Sequence, residues 1–341
     1  MGGTAVKLSD AFLGFLLFPA LCFAAGNPIP NSSFELGRAD FSVNRAVGLD
    51  KPAVFREVFF DTEDKIHGNQ SLRIDNPDMD VLELVSREYK LVPGKVYTFS
   101  WWMKSSRPLT IRAGQFAGEM TTPTKADWGM FRAEQFACGP EWKRYSFRFT
   151  AKGKRSWYFT HFRWGKLKES DPGSDATIWF DALQVSEGAE VAAYTPKSPV
   201  EAAVFGDSRV FSSGKSAAEL RLVNHTDVPQ KVAVKWSAED TLLPGRKLPE
   251  QVLSLTLKSG EQRIEKLGIP VRKNGHWRLS GKVEGEDFFA NLEPWHFAVV
   301  PEPPPRDSVN APGFKMGTNT AFMRGMWGIQ DFLPGSFYAM N

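Results

Sequence analysis

The sequence predicts an all-β protein made of two consecutive sandwiches. Three observations carry that reading. Apolar residues recur at every second position in short segments, 29 Gly and 23 Pro punctuate those segments, and 27 Phe and 11 Trp help raise the aromatic share to 13%. The 341 residues suit about two domains of roughly 100–200 residues each. With 42% hydrophobic and 24% charged residues, the composition is that of a globular chain and excludes disorder, collagen and coiled coil. The 42 Lys+Arg against 39 Asp+Glu leave +3, so net charge points neither to nucleic acid nor to an acidic partner.

Residues 1–24 read as a secretory signal peptide. Lys7 precedes an apolar run from Ala11 to Ala24, too short for the roughly 20 residues that span a bilayer. Cys22 and Ala24 place small residues at −3 and −1 of a cut after Ala24. The expectation is a secreted protein, extracellular or periplasmic, with no membrane span after cleavage. Only Cys22 and Cys138 exist, so the mature chain would hold no disulfide and Cys138 would be a packed side chain.

From 27 to 195 about eight strands suit a two-sheet jelly roll. In Val96–Lys104 the residues Tyr97, Phe99, Trp101 and Met103 share one face, and Thr98, Ser100, Trp102 and Lys104 the other. Arg144–Thr150 repeats the pattern with Tyr145, Phe147 and Phe149 inward. The further strands expected are Val54–Phe60, Ser71–Asp75, Val81–Arg87, Thr110–Gly114, Trp157–Trp164 and Thr177–Val185. Pro196-Lys197-Ser198-Pro199 breaks the series. Over 199–300 roughly seven more strands, with Leu220, Leu222, Val232, Val234, Trp236, Trp277 and Leu279 inward, have the size of an Ig-like sandwich. A Pro-rich linker, 301–312, leads to 313–341.

Four motifs keep their order in the first half: Asn27-Pro28-Ile29-Pro30-Asn31-Ser32-Ser33-Phe34-Glu35-Leu36-Gly37, His67-Gly68-Asn69-Gln70-Ser71-Leu72-Arg73-Ile74, Leu91-Val92-Pro93-Gly94-Lys95-Val96-Tyr97-Thr98-Phe99-Ser100, and Trp179-Phe180-Asp181-Ala182-Leu183-Gln184-Val185-Ser186-Glu187-Gly188. Together they resemble carbohydrate-binding modules of families four and nine, which have a galactose-binding-like jelly roll. The resemblance implies polysaccharide or oligosaccharide binding, with a structural calcium (Ca2+) held by Glu35 and Asp181. Met316-Gly317-Thr318-Asn319 resembles the first strand of the (β/α)8 barrel of many glycoside hydrolases. A barrel needs about 250 residues, so 313–341 would be only its truncated start.

Sugar recognition needs an aromatic ring on an otherwise polar strand face, with polar groups beside it for the hydroxyls. Trp102, with Lys104 beside it, meets that description. Trp164, next to Arg163 at the end of its strand, is the second candidate, and Trp128, in a loop over Lys125–Gly129, the third. Catalytic motifs are absent. Gly214-Lys215-Ser216 lacks the earlier glycine of a phosphate loop, and the five His stand singly. The reading is therefore a non-catalytic saccharide-binding module that targets a glycoside hydrolase. The alternatives are a chain that hydrolyses glycosides itself, or an adhesive β-sandwich without ligand.

Overall fold

The computed structural model describes residues 26–301 apart from 46–57, 77–80, 123–124, 153–156, 166–175, 207, 213 and 215, with backbone alone at 44–45, 119–122 and 125–131. The expected signal peptide, all but the first residue of the expected linker and the barrel-like stretch lie outside these residues. The described residues form strands and no helix, so none of them makes a helix long and apolar enough to cross a membrane.

The first sandwich holds β1 (Phe41–Arg45), β2 (Val58–Asp61), β3 (Ser71–Ile74), β4 (Leu82–Ser86), β5 (Val96–Ser105), β6 (Leu109–Thr122), β7 (Lys125–Cys138), β8 (Lys143–Thr150), β9 (Trp157–Trp164) and β10 (Ile178–Glu187). They form two five-stranded sheets of order β1-β4-β9-β6-β7 and β2-β3-β10-β5-β8, called here the β9 sheet and the β10 sheet after their central strands. Alternation along β4, β9 and β6 sends Leu84, Phe162 and Ala113 inward to meet Phe99, Trp101 and Phe180 from the other layer. Phe99 and Trp101 stack 4.7 Å apart at its centre. A buried polar knot ties three strands or strand ends of the β9 sheet: Tyr89 donates to Gln115, and Thr160 Oγ1 lies 3.1 Å from Tyr89 Oη and 3.3 Å from Gln115 Nε2. Each member is satisfied by another, which fixes register in a region where aliphatic packing alone would tolerate a slip.

Two strands depart from the expectation. β1 was unforeseen, and β6–β7 is a hairpin much longer than Thr110–Gly114, with Trp128 in a strand rather than a loop. The large apolar residues of β7 (Trp128, Met130, Phe131 and Phe136) keep no single parity, so it shows little alternation and owes its conformation to pairing along β6. Cys138 is buried and free, its thiol pushed up chiefly by burial.

The second sandwich holds β11 (Val200–Phe205), β12 (Val210–Ser212), β13 (Ala217–Asn224), β14 (Gln230–Asp240), β15 (Gln251–Leu257), β16 (Gln262–Gly268), β17 (Gly275–Glu284) and β18 (Phe289–Val300). Its sheets run β11-β13-β16 and β12-β18-β17-β14-β15, around Leu220, Val234, Trp236, Trp277, Trp295 and Phe297.

The segment 26–40 joins the two sandwiches. It turns repeatedly, with Asn31 at φ 48°, Phe34 at 62° and Gly37 at 65°. Asn31 tolerates that conformation readily, while for Phe34 it is strained and is held by burial of the ring against Phe41, 4.8 Å away. Across the joint, Asn31 N donates to Glu201 at 3.2 Å, Gln262 Nε2 to Glu35, and Arg87 pairs with Glu293 at 3.0 Å.

Candidate functional site

The two outer faces of the first sandwich differ in what their aromatic rings touch. On the β9 sheet, β9 turns Trp157, Phe159, His161 and Arg163 outward, because Tyr158, Thr160, Phe162 and Trp164 fill the interior. Strand pairing then sets rows across the sheet. Glu83, Arg163, Arg112 and Gln135 form one; Val85, His161, Gly114 and Ala133 the next; Phe159 and Phe116 a third; Trp157 and Gly118 a fourth. Phe116 and Phe159 stack 4.9 Å apart with planes at 11°, and both stay half-buried rather than sealed. His161 meets Phe116 edge-on at 4.9 Å.

Gly114 and Gly118 add no side chains between these residues, and at Gly114 β7 closes over the position a side chain would take. A Cβ at Gly114 would come within 2.7 Å of the Arg132 carbonyl and 3.0 Å of Ala133 Cβ, so β6 and β7 approach too closely there for a larger residue. At the polar end, Glu83 Oε1 lies 3.4 Å from His161 Nε2 and 3.6 Å from Arg163 Nε. Burial raises the Glu83 carboxyl, but the hydrogen bond and charge of His161 and the charge of Arg163 outweigh it, leaving it below the ordinary value.

The β10 face is built differently. Phe59, Arg73, Trp179 and Lys104 pair across it in one row that continues to Trp142. Cations and rings alternate: Arg73 lies 5.2 Å from the Phe59 centroid and 5.9 Å from Trp179, and Lys104 lies 4.4 Å from Trp179 and 5.7 Å from Trp142. Both indole N–H groups are capped, Trp179 by Asp61 at 3.0 Å and Trp142 by Asp64 at 2.7 Å, and Lys104 pairs with Asp64. Trp102 and Lys104 both face outward here. Trp102 is half-buried between Asp181 and Arg144, and Lys104 is inside the ladder.

Other expected positions move. Trp164 is a correction: it points inward, 1% exposed and 5.7 Å from Phe180, and an indole sealed in the core offers no face to a sugar. Arg163, on the opposite parity, stands on the β9 face. The Trp128 side chain lies outside the described residues. The sequence reading missed Trp157, Phe159, Phe116 and Arg112 on one face, and Trp179 and Trp142 on the other. For Trp157, Phe159 and Trp179 the available signal was strand parity.

The two carboxylates of the calcium expectation accept backbone amides. Asp181 Oδ2 accepts the amides of Ile66 and His67 at 2.8 Å each, and Oδ1 that of Ala182 at 2.7 Å. Glu35 Oε1 accepts those of Asn69 at 2.8 Å and Gln70 at 3.2 Å, and Oε2 faces Gln262 Nε2. Calcium needs oxygens from the 65–70 loop, and the loop turns N–H groups here instead. Among the described residues no group of three or more His, Cys, Asp and Glu gathers to hold a metal. The donor set does not fit the ion. Burial, opposed by those amides, pushes Asp181 up to about 7 and Glu35 above its ordinary value.

No protein-family profile and no curated protein matches the sequence. Among solved structures, the chain is similar to a family 16 carbohydrate-binding module (15% identity, covering 47% of this chain and 100% of that one, TM-score 0.33). It is also similar to the N-terminal cellulose-binding domain of Cellulomonas fimi β-1,4-glucanase C (18%, 49% and 100%, 0.34) and to the CBM22-2 xylan-binding domain of Paenibacillus barcinonensis Xyn10C (13%, 46% and 98%, 0.32).

Proposed function

We propose that this chain binds saccharide through the outer face of the β9 sheet and performs no catalysis there. One observation carries the reading: Trp157, Phe159 and Phe116 present rings on an outward face whose floor is Gly114 and Gly118, with Arg163, Arg112, Glu83 and Gln135 beside them. Rings supply C–H stacking, and the polar row supplies planar hydrogen-bonding groups for hydroxyls. Glycoside hydrolysis requires two carboxyl groups flanking the bond, one of them a proton donor with a raised pKa. Among the described residues Glu83 is the acid of these rows, and its depressed pKa suits an ion-paired carboxylate. The wider reading, that the chain is exported by its leader, that the second sandwich is an Ig-like spacer, and that the whole serves a glycoside hydrolase, rests on the sequence motifs.

Affinity electrophoresis of the full chain through gels containing β-glucan, xylan, mannan or uronate polymers tests the site. Retardation by at least one, abolished in Trp157→Ala and intact in Trp102→Ala, is the expected result. Retardation lost in Trp102→Ala and kept in Trp157→Ala would transfer the site to the β10 face, and no retardation by any polymer would leave the adhesive reading standing.

A further inference from the structure

Resting on that placement of the site, we infer that its ligand is an acidic saccharide whose uronate carboxylate is received by Arg112 and Arg163. The two arginines are directly opposed across β6 and β9. Like charges in that relation repel, and a sheet keeps them there at a cost unless an anion lies between or above them. The protein supplies half of the compensation. Glu83, on the far side of Arg163, lies 3.6 Å from its Nε and divides its charge with His161. Arg112 is exposed and makes no ion pair among the described residues, and its other cross-strand neighbour, Gln135, is neutral. Arg163 Nε is shielded from solvent and faces Glu83 Oε1 at 3.6 Å, so a ligand would reach this guanidinium only through its outer nitrogens. One guanidinium is thus partly committed to Glu83 and the next one wholly available, side by side. Planar forks of this kind match a carboxylate through paired N–H donors, a geometry that a neutral hydroxyl does not fill.

The distance to the rings sets the ligand's length. Arg112 and Phe116 are four residues apart on β6, as are Arg163 and Phe159 on β9. At about 3.3 Å per residue that is roughly 13 Å, longer than one sugar ring, so the face accommodates an oligomer with one unit over the rings and a charged unit over the arginines. The net charge of +3 conceals this arrangement, because Glu83 is shared and the many other acids lie elsewhere.

The decisive probe is one backbone with and without its charge. Affinity electrophoresis and calorimetry of the full chain would compare polygalacturonate with its fully methyl-esterified form, with alginate and a sulfated galactan as further arms. The expected result is binding to polygalacturonate or alginate at least about tenfold tighter than to the ester, the size of effect a lost charge-assisted hydrogen bond produces. That preference should weaken as salt rises and disappear in Arg112→Gln, with Arg112→Lys restoring part of it. Arg112 is exposed, so the Gln variant should keep its melting temperature. Equal binding of acid and ester, or an Arg112→Gln variant that keeps the preference, overturns the inference, as does binding of the sulfated galactan alone. In the first two outcomes Phe159→Ala would still weaken binding at least about fivefold and the site would stand. If Phe159→Ala leaves the affinity for the acidic polymer unchanged, the site itself is misplaced.

Discussion

The two outer faces of the first sandwich carry similar side chains and dispose of them in opposite ways. On the β10 face every cation of the ladder has a ring or a carboxylate, and both ladder indole N–H groups have an acceptor. On the β9 face Phe116 and Phe159 stack on each other with the buried His161 edge-on, Gly114 and Gly118 add no side chains, and Arg112 makes no ion pair among the described residues. Aromatic and cationic residues on a strand face are therefore not in themselves a binding signature. What distinguishes a receptive surface is donors and ring faces left without partners inside the protein, since satisfied groups must be desolvated and torn from their partners before they can bind anything.

The largest expected effect tests the parity of β9 that this comparison depends on. Trp164→Ala removes a fully buried indole from between the sheets and should cost about 3–5 kcal/mol of stability, read from urea unfolding. Trp157→Ala, on the same strand but outward, should cost well under half of that. Comparable losses for the two would mean that β9 presents its other side to the core.

Next in size is the loss of ligand binding. Phe159→Ala breaks the Phe116 stack and takes a ring from the open face, so saccharide affinity should fall by about 1–3 kcal/mol, measured by calorimetry. Trp102→Ala, on the closed face, should leave affinity within error.

How far the sequence could be read depended on contrast between the two parities of a strand. In β5 one parity is Tyr97, Phe99, Trp101 and Met103 and the other Thr98, Ser100, Trp102 and Lys104, so the inward side was evident and the structure buries it. The limits of β9 were equally legible at Trp157–Trp164, but both parities hold large aromatics, and hydrophobicity alone could not say which set faces in. Trp164, at the strand's end before a loop, reads from the sequence alone as an accessible ring. The Phe116–Phe159 stack and the opposed arginines arise from the register of β6 against β9, a non-local pairing that no local pattern encodes. In β7 the large apolar residues keep no single parity, so no alternation marks it as a strand.

The faces should also separate by the direction in which acid affects them. Asp181, beneath the β10 face, is pushed up to about 7 mainly by burial, with the Glu35 charge adding. Asp40 at the joint is likewise pushed up to about 7 by burial, with Glu293 and Glu201 adding and Arg87 opposing. Unfolded, both ionise near 3.8, so the unfolded chain holds fewer protons between these values and stability should fall as pH rises from about 4 to about 7. Glu83 has the opposite sign: its depressed value gives stability present at neutral pH and lost below about 4.5. Urea unfolding at a series of pH values should show the fall above pH 4 flattened in Asp181→Asn and Asp40→Asn. A slope unchanged in both variants would show that these carboxyls titrate normally in the folded state.

The smallest effect is the most direct test of the ladder. Lys104 is mostly shielded, with its Nζ 4.4 Å from the Trp179 ring and paired with Asp64, which also receives the Trp142 indole proton. Lys104→Ala removes a cation–ring contact and leaves Asp64 with the indole alone, a loss of about 1 kcal/mol by unfolding. Saccharide affinity should be untouched, because the ladder is spent on the protein itself. Coupling can be isolated by a cycle with Trp179→Leu: the two losses should be less than additive, since either change breaks the same contact. Full additivity would mean the ring and the ammonium are merely neighbours. A loss of saccharide affinity in Lys104→Ala would mean instead that the ladder opens to receive ligand, and the contrast between the two faces would then be one of degree.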